Sequence, residues 1–571
     1  MNRKVKIGSG IITLTDRHYL AGGGEGDVFV NGNKAFKIYH DKSKSLPIQK
    51  IKELGLINQP NVVVPQEIIY DVQNGDVIGY VTDFINNTDP LLKYFTRTFK
   101  NDHNIDNTMI LSLLKQMHHI TQYIHSCNIL VVDYNELNIL VKNSNGLIPY
   151  YIDTDSYQTP SFKSSAVMNS IMDRRCSKTV NGHLVYNADE FSDWFSWGVL
   201  SFWILINIHP FRSNHPQYKP AQKMKQMDDN VSVFDPKSKL PPSVNPFNII
   251  PKHLLDWYKF IFADTNNRSI PPLPDSMAPI TVPTQIITIQ GTDKLTVVEV
   301  ATYSSNVLYV IQHMGINYAV TKTHICADKK EMIGWDKAQK VLLCPAPDGT
   351  IISATLKGTI VSFADIKSGV PFGTIQSKDV FQRNNAFYTM SAGKLIENTF
   401  TTFGNKTIHK VAELENVSQL TSTMYNGCII QDLLGKKFIT IPFKQGACFS
   451  KYIPNLDGFR VVDAKCDKNV AVVVAEKSGK YHRFIIVFDK NYQSFEIRET
   501  ADISYDEINF AVLNNGFCIL LSSPTELELF VKANQYETLP DPPLDANMEL
   551  FTTQDGFFFL NGNSIYQLKR K

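Results

Sequence analysis

From residue 306 to the end of the chain, short apolar runs recur in pairs, separated by Gly, Asn and Asp. The pairs begin near Asn306, Lys340, Asn385, Thr421, Asn469, Asn509 and Met548, about 40 residues apart, and helical periodicity almost vanishes. GTIISATLKGTIVSF (Gly349–Phe363) and NVAVVVAEKSGKYHRFIIVFD (Asn469–Asp489) are examples. Four-stranded propeller blades repeat at about 40–45 residues, so residues 285–571 read as an all-β domain, most naturally a seven-bladed β-propeller. The leading strand TQIITIQG (Thr284–Gly291) is available to close the ring beside the last blade. Two stacked β-sandwiches stay open as an alternative, because strand spacing does not separate the two architectures. Neither a Trp-Asp dipeptide nor a kelch signature occurs.

The segment before this region, Ser269–Thr284, carries five prolines in sixteen residues. Proline at that density cannot continue a helix or a sheet ladder, so it marks a stiff connector and a domain boundary. Ahead of it the patterning differs. Residues 10–85 alternate apolar and polar with tight turns, as in VFVNGNKAFKIYH, where Asn31-Gly32 signals a hairpin. Asn107–His125 then places Ile110, Leu113, Leu114, Met117, Ile120, Tyr123 and Ile124 on one helical face. The expected first domain, residues 1–275, is therefore α+β and bilobal, with a sheet-rich small lobe at 10–85 and a helical large lobe at 86–275.

Composition excludes several classes. With 43% hydrophobic and 20% charged residues among 571, the chain is neither disordered, collagenous nor a coiled coil. Balance between 57 Lys+Arg and 55 Asp+Glu argues against a nucleic-acid-coating protein. The eight cysteines show no CxxC spacing and suggest a reducing cytosol. No signal-peptide core is visible at the N-terminus, and the most apolar stretch, Phe195–Ile206, is too short for a membrane span and reads as a buried helix. The expectation is a soluble cytoplasmic protein that needs neither membrane nor nucleic acid.

Three motifs carry chemistry. The turn Ala21-Gly22-Gly23-Gly24-Glu25-Gly26-Asp27-Val28 is rich in glycine, which lets a backbone approach phosphate oxygens. A strand, a turn and a second strand then lead to Lys37, which can reach back beneath that loop to bridge two phosphates. Asp133-Tyr134-Asn135-Glu136-Leu137-Asn138 sets a carboxylate five residues before an amide: Asp133 can orient a hydroxyl proton and Asn138 can ligate Mg²⁺. Asp153, in Tyr151-Ile152-Asp153-Thr154-Asp155-Ser156, lies one hairpin further on and supplies the other metal carboxylate. Asp155 reads as a hydrogen-bonded turn residue or a second metal ligand. His118, His119 and His125 have no carboxylate or thiol beside them at ligand spacing.

In this order the residues resemble the eukaryotic-type protein kinase superfamily over residues 10–275, with wording closest to bacterial kinase-like proteins (GGEGxVF, DxNxxN, DxDSYQ). The resemblance implies that Ala21, Gly22, Gly23, Gly24, Gly26 and Val28 cover ATP. It further implies that Lys37 anchors the phosphates, braced by Glu53, that Asp133 and Asn138 form the catalytic loop, and that Asn138 and Asp153 hold Mg²⁺. Asp193-Trp194-Phe195-Ser196-Trp197-Gly198 resembles the helix that anchors the large lobe, and Asp264–Arg268 the D-x-x-x-R near the kinase C-terminus, with Glu190 the nearest acidic candidate to pair with Arg268. The departures are Val131-Val132 in place of His-Arg, Asn135 in place of a lysine, and Thr154-Asp155 in place of Phe-Gly. Taken whole, the resemblance implies an ATP- and Mg²⁺-dependent Ser/Thr protein kinase whose propeller recruits a protein substrate or partner. A nucleotide-binding pseudokinase acting as a scaffold stands beside it as the alternative.

Overall fold

The computed structural model of the chain describes residues 2–571 except 23, 24, 165, 182, 220, 221, 242, 243, 275–290, 336–339, 404, 405, 504–506 and 547. Gly23, Gly24 and most of the strand expected at Thr284–Gly291 therefore lie outside the described residues. The chain divides into two compact units, the first built mainly from residues up to 274 and the second mainly from residue 291 onward.

The first unit is α+β. Its largest described sheet has seven strands, β1 (Asn2–Ile7), β2 (Gly10–Thr15), β3 (Tyr19–Gly22), β4 (Gly26–Asn31), β5 (Lys34–Tyr39), β6 (Glu67–Asp71) and β7 (Val77–Asp83), in the spatial order β2-β1-β6-β7-β5-β4-β3. Alternation buries one face, where Val5, Leu14, Phe29, Phe36, Ile38, Ile69 and Val81 form a single cluster. A seven-residue helix, α1 (Ile48–Leu54), follows β5. The helical part holds α2 (Asn107–Ser126), α3 (Glu190–Ile206) and α4 (Lys252–Ile261). On α2, Ile110, Leu113, Leu114, Met117, Ile120 and Ile124 are buried, as the 3.6-residue period requires. Helix α3 is apolar all round and buried almost throughout, and among the described residues no helix is long and apolar enough to cross a membrane.

The first residues of the proline-rich segment belong to this unit rather than to a free connector. Trp257 Nε1 donates to Ser269, His118 Nε2 to the Pro271 carbonyl at 3.0 Å and His253 Nε2 to the Leu273 carbonyl at 3.0 Å. All eight cysteines are free thiols, and Cys127 is half-buried.

The second unit is all-β. Its described strands form seven four-stranded antiparallel sheets. Six consist of consecutive strands, at residues 307–334, 340–376, 380–416, 422–452, 460–503 and 510–540. The seventh is composite: Leu295–Thr302 pairs with Ser564–Arg570, which continues to Gly556–Asn561 and Leu550–Thr553. Leu295–Thr302 thus lies beside the last strand of the unit. Apolar clusters link neighbouring sheets in sequence. Val320 and Leu343 share one, Phe363 and Phe387 the next, then Phe381 with Ile429, and Ile439 with Val473. Arg483 Nη1 reaches the Ser522 carbonyl at 2.6 Å from the fifth sheet to the sixth. The composite sheet packs on both its neighbours, through Ile519 and Phe559 on one side and Val310 and Leu560 on the other.

Candidate functional site

The site is set by where β5 lies in its sheet. Lys37 sits opposite Val28 of β4 and Tyr80 of β7. Its ammonium donates to Asp155 Oδ2 at 2.6 Å and lies 3.7 Å from Asp153 Oδ1 and 4.0 Å from Glu25 Oε2. Tyr39 donates its hydroxyl to the same Asp155 oxygen at 3.0 Å. Burial alone would neutralise the lysine, but Asp155 and then Asp153 hold its pKa well above the ordinary lysine range. Burial also opposes the Asp155 carboxylate; Lys37, Tyr39 and Tyr80 outweigh it and keep that group below the ordinary carboxylate range.

The glycines have steric reasons of their own. A Cβ on Gly26 would stand 2.4 Å from the Ile38 carbonyl oxygen, and one on Gly22 would stand 2.5 Å from the Tyr19 hydroxyl. Strands β3 and β4 thus approach closely at these two glycines, with Ala21 paired to Val28 and Gly22 to Asp27. Gly79 of β7, which no motif singles out, is more constrained still: its Cβ would meet the Lys37 carbonyl oxygen at 2.0 Å. An isolated glycine inside the strand pattern IGYVTD is the available signal of such an approach.

Asp133 and Asn138 come together as their spacing suggests. Asn138 Nδ2 donates to Asp133 Oδ2 at 2.9 Å and to the Asp133 carbonyl at 3.3 Å. The hairpin β8 (Ile139–Asn143) and β9 (Leu147–Tyr151) then carries the chain back, so that Ile152 N donates to the Asn138 carbonyl at 2.9 Å. Asp153 is the next residue, held in the left-handed region at φ 54. Asn135 is buried and turned inward: its Oδ1 accepts from Leu137 N at 2.8 Å and Asn138 N at 3.0 Å.

The backbone before Asp133 is strained. Val132 has φ 60, rare for a β-branched residue, and Asp133 N donates to the Val131 carbonyl at 2.7 Å across it, a γ-turn of the less common hand. Asp193 of α3 over-determines this turn. Its buried carboxylate accepts from Val131 N at 2.7 Å, Val132 N at 2.9 Å and His125 Nε2 at 2.9 Å. His125 is therefore one of the groups holding this loop; among the described residues no group of three His, Cys, Asp or Glu side chains is placed to hold a metal alone.

Two expected pairings are replaced. Glu53 does not brace Lys37: its carboxylate accepts from Gln49 Nε2 at 3.1 Å and Ser161 N at 3.2 Å. Helix α1 instead presents Lys50, whose ammonium donates to the Asp155 carbonyl at 2.6 Å. Arg268 pairs with Asp173 rather than Glu190, through two parallel bonds of 2.8 and 2.7 Å, and stacks over Phe195 at 4.2 Å. Glu190 lies instead beside Trp194 and His125. Both substitutions join residues about a hundred positions apart, for which local spacing holds no signal.

Lys37 of β5 thus meets Asp153 and Asp155 just after the end of the hairpin β8 and β9, while Asn138 and Asp133 sit where the same hairpin begins. The chain matches no protein-family model and no curated protein sequence.

Proposed function

We propose that residues 10–275 form a kinase-like domain that binds ATP with Mg²⁺ and transfers the γ-phosphoryl group to a protein serine or threonine. The observation that carries this reading is the convergence of Lys37, Asp153, Asn138 and Asp133 on one hairpin end. The donor set fits the metal: Asn138 keeps its amide oxygen after Nδ2 is used on Asp133, and Asp153 is a carboxylate. Two hard oxygen donors without a third protein ligand suit an ion that completes its shell with phosphates and water. Bound there, Mg-ATP would supply the transferable phosphoryl group with its charge partly neutralised.

This chain's own residues do the positioning. Lys37 presents a fixed positive charge to phosphate oxygens. Asp133, oriented by Asn138 Nδ2, receives the proton of the acceptor hydroxyl. Asp193 and His125 keep the strained turn before Asp133 in place, so the carboxylate does not have to reorganise during transfer. One observation favours a nucleotide-binding scaffold should transfer prove absent: Asn135 is spent on backbone N–H groups and offers no cation toward a γ-phosphate.

In the second unit, the seven four-stranded sheets, the composite closing sheet and the succession of shared apolar clusters support a seven-bladed β-propeller. We read it as the surface that recruits a protein substrate or partner. The test is direct. The full chain with labelled ATP and Mg²⁺ is expected to phosphorylate itself or a protein acceptor, and Asp133→Asn is expected to abolish transfer while leaving nucleotide binding nearly intact. Binding without transfer in the unaltered chain selects the scaffold; neither binding nor transfer at millimolar Mg-ATP rejects both readings.

A further inference from the structure

We infer that Asp155 is the positioning residue that braces Lys37 for the nucleotide phosphates, in the role that the sequence pattern assigns to Glu53. The inference rests on the nucleotide-binding reading above and adds a residue to it.

The geometry distinguishes the two sides of the lysine. Asp155 stands behind it, its side chain only 6% exposed, whereas Asp153 and Glu25 in front are 43% and 62% exposed. A phosphate approaching from solvent therefore meets the ammonium from the Asp153 side, with Asp155 left in contact at the rear. The carboxylate is itself immobilised. Its Oδ2 accepts from Lys37 and Tyr39, its Oδ1 is sealed from solvent, and the backbone carbonyl of the same residue accepts from Lys50. Strand β5 and helix α1 thus converge on one residue. Such a group fixes the direction of the lysine side chain and keeps it charged.

Glu53 cannot serve because of its register. On α1, Lys50 and Glu53 are three residues apart and share a face. Lys50 occupies the end of that face nearest Asp155, while Glu53 is tied to the backbone of Ser161.

The test is a pair of double-mutant cycles on Mg-ATP affinity, measured calorimetrically on the full chain: Lys37→Met with Asp155→Asn, and Lys37→Met with Glu53→Gln. If Asp155 acts through Lys37, each single change weakens binding about tenfold or more, and the double K37M/D155N is no weaker than K37M. The Glu53→Gln effect is expected to be a small fraction of the Asp155→Asn effect and to add to that of K37M. A contribution of Asp155 to the fold alone would lower affinity equally in both lysine backgrounds, so additivity in the first cycle overturns the inference while leaving nucleotide binding standing. Absence of binding by the unaltered chain overturns both. Should Asp155→Asn not fold, Tyr39→Phe removes one donor to the same oxygen. It is expected to weaken binding by roughly two- to fivefold in the presence of Lys37 and not at all in K37M, and an equal effect in both backgrounds rejects the brace.

Discussion

Replacing Asp193 by Asn tests whether the loop before Asp133 is held from α3. In the native carboxylate two oxygens serve three donors: Val131 N, Val132 N and His125 Nε2. Asparagine keeps one acceptor and turns an NH₂ toward the rest. Each hydrogen bond to a charged acceptor contributes about 1.5–3 kcal/mol, and a buried N–H left unpaired costs about 1–3 kcal/mol. The turn at Val132 adds strain of roughly 1–3 kcal/mol that persists only while the surroundings enforce it. Since these losses overlap, a net destabilisation of about 3–5 kcal/mol is expected, as for other broken buried charge networks. Against a domain stability of about 10 kcal/mol, the middle of the usual range, that lowers the guanidinium midpoint of the first unit by roughly a third to a half. Four of the five tryptophans (Trp194, Trp197, Trp203 and Trp257) lie in this unit, so intrinsic fluorescence reports its unfolding. A midpoint equivalent to less than about 1 kcal/mol of change would refute the reasoning, because the strained turn would then be stable without its acceptor.

Gly79→Ala forces a methyl group to within 2.0 Å of the Lys37 carbonyl oxygen, so β7 must move away from β5. The expected outcome is a loss of about 1–3 kcal/mol in thermal unfolding together with weaker Mg-ATP binding, and unchanged values of both would contradict the close approach. His209 is buried with Nε2 donating to the Ser170 carbonyl and Nδ1 accepting from Phe211 N. Burial first, and the charge of Arg212 after it, push its pKa well below the usual histidine value. Below about pH 6.5 the unfolded state therefore binds a proton that the folded state does not, and stability of the first unit falls as pH drops from about 6.5 toward 5. His209→Gln should flatten that part of the profile, measured by urea unfolding at a series of pH values; an identical slope in the variant would assign the dependence elsewhere.

Features set by local periodicity and short loops are legible in the sequence. The strand pairs repeating after residue 306 lie in four-stranded sheets because alternation and turn residues act over a few positions at a time. Asp133 and Asn138 meet because a five-residue loop leaves them little choice, and α2 buries the face its 3.6-residue period marks. Partner choice is a different matter. Lys37 is 16 positions from Glu53 and 118 from Asp155, yet it pairs with the more distant carboxylate. Arg268 reaches 95 positions to Asp173 although Glu190 is nearer in sequence, and Leu295–Thr302 finds its strand partner at the far end of the chain. Spacing can say that a carboxylate is available. Which carboxylate is stripped of water and pressed against a given cation depends on how sheet, helix and loop pack together, and only the tertiary structure decides it.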